Sequence, residues 1–409
     1  MRFLSFCLII TLFSTCSTKH VDLKPGIWRG VIALQGQQLP FNFDVTKDSS
    51  LYKINLINAT EKIELREISY VGDSINIVLH LFDAELRARV YENSMEGFYY
   101  KNYDKSFKLS FHASFGDNFR FEKSSDQSVQ DFSGKYQVQF ISDVNDTVVS
   151  VGIFRQKRNY VDGTFLTPIG DYRYLEGNVV NDKLQLSTFD GNHAFLFIAT
   201  KNNDSTLTGD FWSGIKYHES WTAIKNENAV MPDAESLTYL KEGYDKIDFS
   251  FPDVNNNMIS PSHEKFKGKV LILQLFGTWC PNCIDETKFL AQWYTENKDR
   301  GVEILGLAYE RKADFNYAST RVKKMKERLN VEYDFVIAGT DDKKKASETL
   351  PMLNKVLAFP TTIFVGKDGK IKLIHTGFNG PGTGIYYEHF KDRFNQVVGE
   401  LLAEDLTLK

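Results

Sequence analysis

Apolar and polar residues alternate in short runs through the first half of the chain. Between Gly26 and about Ala223, segments such as Phe41-Asn42-Phe43-Asp44-Val45, 51–57, 74–81, 135–140 and 183–187 keep a period of two and are separated by turn residues. A strand with one buried face has that period, so the pattern predicts an all-β region built of antiparallel sandwich or barrel modules. Two stretches also repeat at a fixed offset. Asp73-Ser74-Ile75 leads to Phe82-Asp83-Ala84 and on to Met95-Glu96-Gly97-Phe98-Tyr99, while Asp182-Lys183-Leu184 leads to Phe189-Asp190-Gly191 and on to Leu207-Thr208-Gly209-Asp210-Phe211-Trp212. The repeat predicts a tandem pair of modules. Its aromatic endings suit core packing, with a ligand pocket as the alternative.

The pattern changes after a polar stretch at 225–235, which has no apolar period and reads as linker, with Asp233 placed to cap a short helix through Leu237 and Leu240. Residues 270–276 are almost continuously apolar and branched, as a central strand covered on both faces requires. A helix is expected over 280–297, with Pro281 in its first turn, where a missing N–H costs nothing. A second buried strand follows at 302–309. Residues 362–365 and 371–375 flank Lys367-Asp368-Gly369 as a hairpin, and a last helix spans 386–402. The expected division is a leader at 1–15, a duplicated β region at 16–224, a linker at 225–246 and an α/β domain at 247–409 with a helix-strand-helix insertion at about 310–356.

Composition narrows the function. A chain of 409 residues holds two or three cores, and a net charge of -4 gives no basic field for nucleic acid. Arg2, the apolar run 3–13 and Ser14-Thr15-Cys16 form a signal peptide ending in a relaxed lipobox, so Cys16 is expected to become the lipidated first residue. The anchor would be that N-terminal lipid, facing the periplasm in the envelope of a Gram-negative bacterium, in the outer rather than the inner membrane. Outside the cytosol disulfides persist.

With Cys7 removed and Cys16 blocked, Cys280 and Cys283 are the remaining thiols. They sit in Gly277-Thr278-Trp279-Cys280-Pro281-Asn282-Cys283, at a strand-to-helix turn. A helix N-terminus stabilises a thiolate through its unsatisfied N–H groups and dipole, so Cys280 is the expected nucleophile and Cys283 the resolving thiol. A zinc site would need a second Cys pair or a His partner at ligand spacing, and neither is present; no metal or cofactor is expected.

Further motifs follow in a fixed order. Phe266-Lys267-Gly268-Lys269-Val270 leads into the Cys-x-x-Cys loop, Phe359-Pro360-Thr361-Thr362 comes later, and Gly366-Lys367-Asp368-Gly369 follows it. With the insertion, they resemble the TlpA/ResA-like thiol-disulfide oxidoreductase family over about residues 247–402. The resemblance implies a thioredoxin fold and several roles. Pro360 would be cis beside the cysteines, and Phe359 would pair with an extended substrate. Glu286 would transfer protons, unless it is a surface glutamate favoured by the helix dipole. Trp279, Pro281, Asn282 and Thr361 would meet substrate, as would Gly377 and Phe378 of the Gly-rich stretch 377–384. Gln274 departs from the family of thioredoxins at large, many of which place a buried Asp there. The implied partners are protein disulfides and an upstream membrane or periplasmic thiol donor. Two other readings stand beside this one: a peroxiredoxin-type peroxidase, and a binding protein whose β half recognises a ligand with the redox domain accessory.

Overall fold

The computed structural model describes residues 21–49, 51–123 and 130–404. Cys7, Cys16 and the leader lie outside the described residues. The alternating half folds as two barrel-like antiparallel sheets, and the α/β part follows as a third, five-stranded sheet.

The first sheet has nine strands in an up-and-down order. Its opening strand, Gly26–Leu34, pairs with Gln37–Asp48 on one side and with the closing strand, Asp104–Phe115, on the other. The sheet therefore curls back on itself and leaves one seam, between the edge strands Glu61–Leu65 and Ile68–Val71. The second sheet repeats the scheme: Gly134–Ser142 pairs with the last strand, Tyr217–Lys225. Here Thr147–Lys157 also pairs with Tyr160–Thr167, which closes the ring.

Corresponding motifs of the sequence repeat occupy corresponding strands. Gly97 lies in Ser94–Lys101 and Gly209 in Thr206–Ser213, each one strand before the last strand of its sheet in chain order. Both glycines mark a close approach of backbone: a Cβ on Gly97 would lie 1.9 Å from the Arg87 carbonyl oxygen, and one on Gly209 would lie 2.6 Å from that of Ile198. Gly209→Ala should cost about 1–3 kcal/mol, because the strand must move to admit the methyl group; a urea denaturation curve matching that of the wild type would contradict this. The aromatic residues of the repeat pack as core. In the second ring, Phe211 stacks on Phe197 at 4.4 Å, and Phe140, Phe165 and Trp221 fill the interior around them.

The third sheet has the order Asp334–Thr340, Val302–Glu310, Val270–Phe276, Thr361–Val365, Ile371–Thr376. The first three strands are parallel and the last two antiparallel. Every residue of Val270–Phe276 is buried, as its unbroken apolar run requires. The helices are Pro281–Asn297, which we call the dithiol helix, the insertion helix Phe315–Arg328, a short helix Lys343–Thr349, and Ile385–Ala403. The short helix expected after Asp233 is absent. Asp233 instead accepts from the Glu235 N–H in a turn, and Thr238 is buried where its hydroxyl accepts from Thr376. Contacts with the third sheet decide this segment's shape, not its helical spacing.

The insertion helix lies along the seam of the first sheet. Arg328 donates to the carbonyls of Glu64 and His80, Lys324 pairs with Glu67, and Tyr317 donates to Asp83.

Candidate active site

The turn from Val270–Phe276 into the dithiol helix is built to present sulfur. Gly277 has no side chain because a Cβ there would lie 2.2 Å from the Trp279 indole nitrogen. Trp279 folds back over it and donates to the Tyr309 carbonyl at 2.8 Å. Thr278 is held by its N–H and its hydroxyl, both donating to the buried Glu310 carboxylate at 2.8 Å. Cys280 caps the helix in extended conformation, with its sulfur accepting from the Cys283 N–H at 3.2 Å. Pro281 occupies the first turn without losing a hydrogen bond.

Cys280 and Cys283 form a disulfide with a Cα–Cα distance of 5.2 Å. Cys283 is fully buried, and Cys280 is 6% exposed. The nucleophile expected from the sequence is thus the more accessible sulfur, yet only a sliver of it meets solvent. The Phe359–Pro360 bond is cis, and it brings the Phe359 carbonyl oxygen to 3.5 Å from the Cys280 sulfur.

Glu286 lies one turn behind Cys283, with no exposure at all. The surface alternative for this residue is therefore excluded. Burial pushes its carboxyl up to about 7, against hydrogen bonds from Thr362 at 2.6 Å and from the Gln274 amide at 2.8 Å. The Gln274 amide nitrogen also lies 3.4 Å from the Cys283 carbonyl, and its oxygen accepts from Thr287 at 3.2 Å. The glutamine thus stands as a neutral link between the acid and the resolving cysteine.

The pH consequence follows from the sign of that shift. A carboxyl whose folded value is raised holds its proton in the folded state where the unfolded chain has released it, so stability falls as pH rises from about 4.5 to about 7. Glu286→Gln should then stabilise the protein by about 2–3 kcal/mol at pH 8 and hardly at all at pH 4. Denaturation curves at the two pH values check this, and equal effects at both would contradict it.

The other residues expected to meet substrate divide into two groups. Trp279, Pro281, Asn282 and Phe359 surround the disulfide. Thr361 is buried and donates to the Ala358 carbonyl at 2.9 Å, bracing the cis-proline loop from inside. Phe378 is buried against Phe390 at 4.9 Å. Gly377 donates its N–H to the Pro360 carbonyl at 3.0 Å and so lies beside the cis-proline loop.

Several contributors gave no signal in the sequence. Arg173, from the second ring, is buried with its guanidinium on the Pro281 carbonyl at 3.2 Å and on Asp285, Glu61 and Asp190. Burial alone would lower its pKa, but those carboxylates and Asp171 hold it well above the usual arginine value. Asp171 accepts from the Gly380 N–H at 2.7 Å, and its backbone carbonyl accepts from the Asn282 amide at 3.0 Å. Burial pushes the Asp171 carboxyl up to about 6. On the far side of the loop, the Arg311 guanidinium lies 4.0 Å over the Trp279 ring.

Comparison with known proteins agrees with this geometry. Residues 243–374 match the model of the AhpC/TSA family. The thiol-disulfide oxidoreductase ResA of Bacillus subtilis is 28% identical over 150 residues, covering 37% of this chain and 74% of that protein. ResA of Geobacillus kaustophilus is 30% identical over 112 residues, covering 27% of this chain and 57% of that one. The chain thus spans between about half and three quarters of the length of these relatives. The thioredoxin domain of a thiol-disulfide oxidoreductase from Bacteroides vulgatus has been solved; it is 26% identical, with 37% of this chain and 99% of that one covered, at a TM-score of 0.28. The family match and the two ResA relatives, with a disulfide at the head of its helix, support thiol-disulfide oxidoreduction as the activity of the C-terminal domain.

Proposed function

We propose that this chain is an exported, lipid-anchored thiol-disulfide oxidoreductase that reduces protein disulfides through Cys280 and Cys283. The observation that carries the chemistry is the Cys280–Cys283 disulfide at a helix N-terminus, against a cis proline and in front of a buried acid. Cys280 attacks, Cys283 resolves, and Glu286 takes up and returns the proton of the Cys283 thiol through the polar groups around Gln274. The site residues Trp279, Pro281, Asn282 and Phe359 hold the substrate segment, and an upstream thiol donor of the membrane or periplasm restores the dithiol.

Location rests on the sequence. Among the described residues no helix is long and apolar enough to cross a membrane; the proposed anchor, a lipid on Cys16, rests on the lipobox. The signal and lipobox support a periplasm-facing site in a Gram-negative envelope, on the outer membrane. Radiolabelled palmitate incorporated into the wild type and absent from Cys16→Ala tests the anchor; equal labelling of both would remove it.

A peroxidase reading is the alternative, since a peroxidase of the peroxiredoxin type would share the fold. Against it stands the disulfide, which joins neighbours in one helical turn, and a sequence before Cys280 that lacks the Pro-x-x-x-Thr-x-x-Cys signature. The test of the favoured reading is insulin reduction with dithiothreitol, paired with a redox titration. A chain that shows no reversible Cys280/Cys283 couple and no turnover would end it.

A further inference from the structure

The Cys280 sulfur borders a cleft of about 300 Å³ whose two walls come from different domains. The apolar part of one wall is Trp279, Ala358 and Phe359, and that of the other is Ile169, Tyr172 and Phe195 of the second ring; His193 and Lys343 are among the polar residues that also line the cleft. Ile169 stands at the tip of the turn after Tyr160–Thr167, and it remains 44% exposed although it is apolar.

This second wall is fastened in place. The Asp171 carbonyl accepts from Asn282, the Asp171 carboxylate accepts from Gly380, and Arg173 binds the Pro281 carbonyl and Asp285. Gly377 and Gly170 make the close approach possible: a Cβ on Gly377 would lie 3.1 Å from the Ile169 carbonyl carbon, and one on Gly170 would lie 2.7 Å from the Asn282 amide nitrogen. Arg173 itself is held in the left-handed region at φ 58°, with its N–H donating to the Asp171 carboxylate at 2.6 Å. Non-glycine residues tolerate that conformation only where their surroundings impose it. The wall is therefore a built part of the site.

Size then selects the substrate. A volume of about 300 Å³ sits at the small end of ligand pockets, whereas a folded partner docks by covering about 800 Å² on each side. We infer that the second β ring is the specificity element of the redox site, and that the cleft favours a disulfide carried on a flexible, apolar polypeptide segment over one seated on a folded surface.

This rests on the disulfide-reductase reading above. The Cys280 thiolate attacks one substrate sulfur, forming the mixed disulfide and releasing the other sulfur as a thiolate, which takes a proton from water. The Cys283 thiolate then attacks the Cys280 sulfur, the protein disulfide forms, and the second substrate thiolate leaves and is protonated. The substrate gains two electrons and two protons, and the dithiol is oxidised.

The test uses the reduced full-length chain and two substrates. One is a disulfide-linked pair of flexible decapeptides with Phe and Val flanking the cysteine. The other is the same decapeptide disulfide-linked to an exposed cysteine on a small folded carrier. The peptide pair should show a kcat/KM at least tenfold higher. Ile169→Trp, which fills the mouth, should lower the rate on the peptide pair severalfold with the midpoint potential of the Cys280/Cys283 couple unmoved; Ile169→Gly, which widens it, should narrow the preference. Equal rates on both substrates by the wild type, or no change in preference with either variant while the couple titrates normally, would overturn the inference. Loss of the couple itself, or no turnover of either substrate, would instead overturn the reductase reading.

Discussion

Cys280→Ser in the full chain should abolish insulin reduction, while Cys283→Ser should accumulate mixed disulfides with client proteins. The asymmetry comes from the helix cap. The Cys280 sulfur accepts from the Cys283 N–H at 3.2 Å and stands at the positive end of the Pro281–Asn297 helix, so once reduced it is the sulfur whose thiolate is stabilised. It is also the more exposed of the two, at 6% against none. Cys283 can reach only Cys280, so without it the first covalent step has no second. Non-reducing gels of Cys283→Ser cells, followed by mass spectrometry of the added bands, read this directly. Bands of equal intensity in Cys280→Ser would show that the order of attack is reversed.

The second large effect is expected at Arg173→Ala. This one cation faces Glu61 of the first sheet, Asp171 and Asp190 of the second and Asp285 of the dithiol helix, and it is 5% exposed. Lys288 still pairs with Asp285 and His193 with Asp190, so removing the guanidinium strands Glu61 and Asp171 above all, and losing one partner of a buried ion group costs about 3–5 kcal/mol. Acid should partly relieve the defect. Burial raises the Asp171 carboxyl to about 6 and raises that of Glu61 above the usual carboxylate value even with the arginine present, so protonation on going from pH 8 toward pH 5 acts on these two, while Asp190, held down to about 2 beside His193 in spite of its burial, stays charged. Arg173→Lys keeps the charge without the planar fork and should fall between the two. Urea denaturation at pH 8 and pH 5.5 measures all of this, and an Arg173→Ala protein within about 0.5 kcal/mol of wild type at pH 8 would show that the cluster is not an ion group that matters to stability.

The sequence made the local parts of this site legible. A strand buried on both faces, a Pro at the head of a helix, a Phe-Pro before a hairpin and two cysteines three apart each leave a mark within ten residues, and each stands where that mark puts it. The Glu286 carboxyl was legible as a position and not as an environment, because its burial depends on Gln274 and Thr362 arriving from two strands of the third sheet. Arg173 was not legible at all. Its partner Asp285 lies 112 residues away, it sits in no periodic run, and a turn arginine in a β region looks like solvent-facing charge. Phe378 and Thr361 were legible as neighbours of the Gly-rich stretch and of Pro360, and their burial was not: an aromatic cluster and a carbonyl, respectively, hold them inward. The helix expected after Asp233 failed because docking on the third sheet outweighed local spacing.

The seam of the first sheet bears on how this chain can be cut. Glu61–Leu65 and Ile68–Val71 are adjacent edge strands that do not pair, and Arg328 of the insertion helix takes up carbonyls at their margin. A fragment ending at residue 225 would carry those edges bare, and an edge with free carbonyls and N–H groups recruits a second edge. Such a fragment should self-associate, in contrast to the whole chain, and a truncation that keeps the insertion helix should not. The β half and the redox domain are in that respect one inheritance: neither can be exchanged for another without carrying the other's surface along.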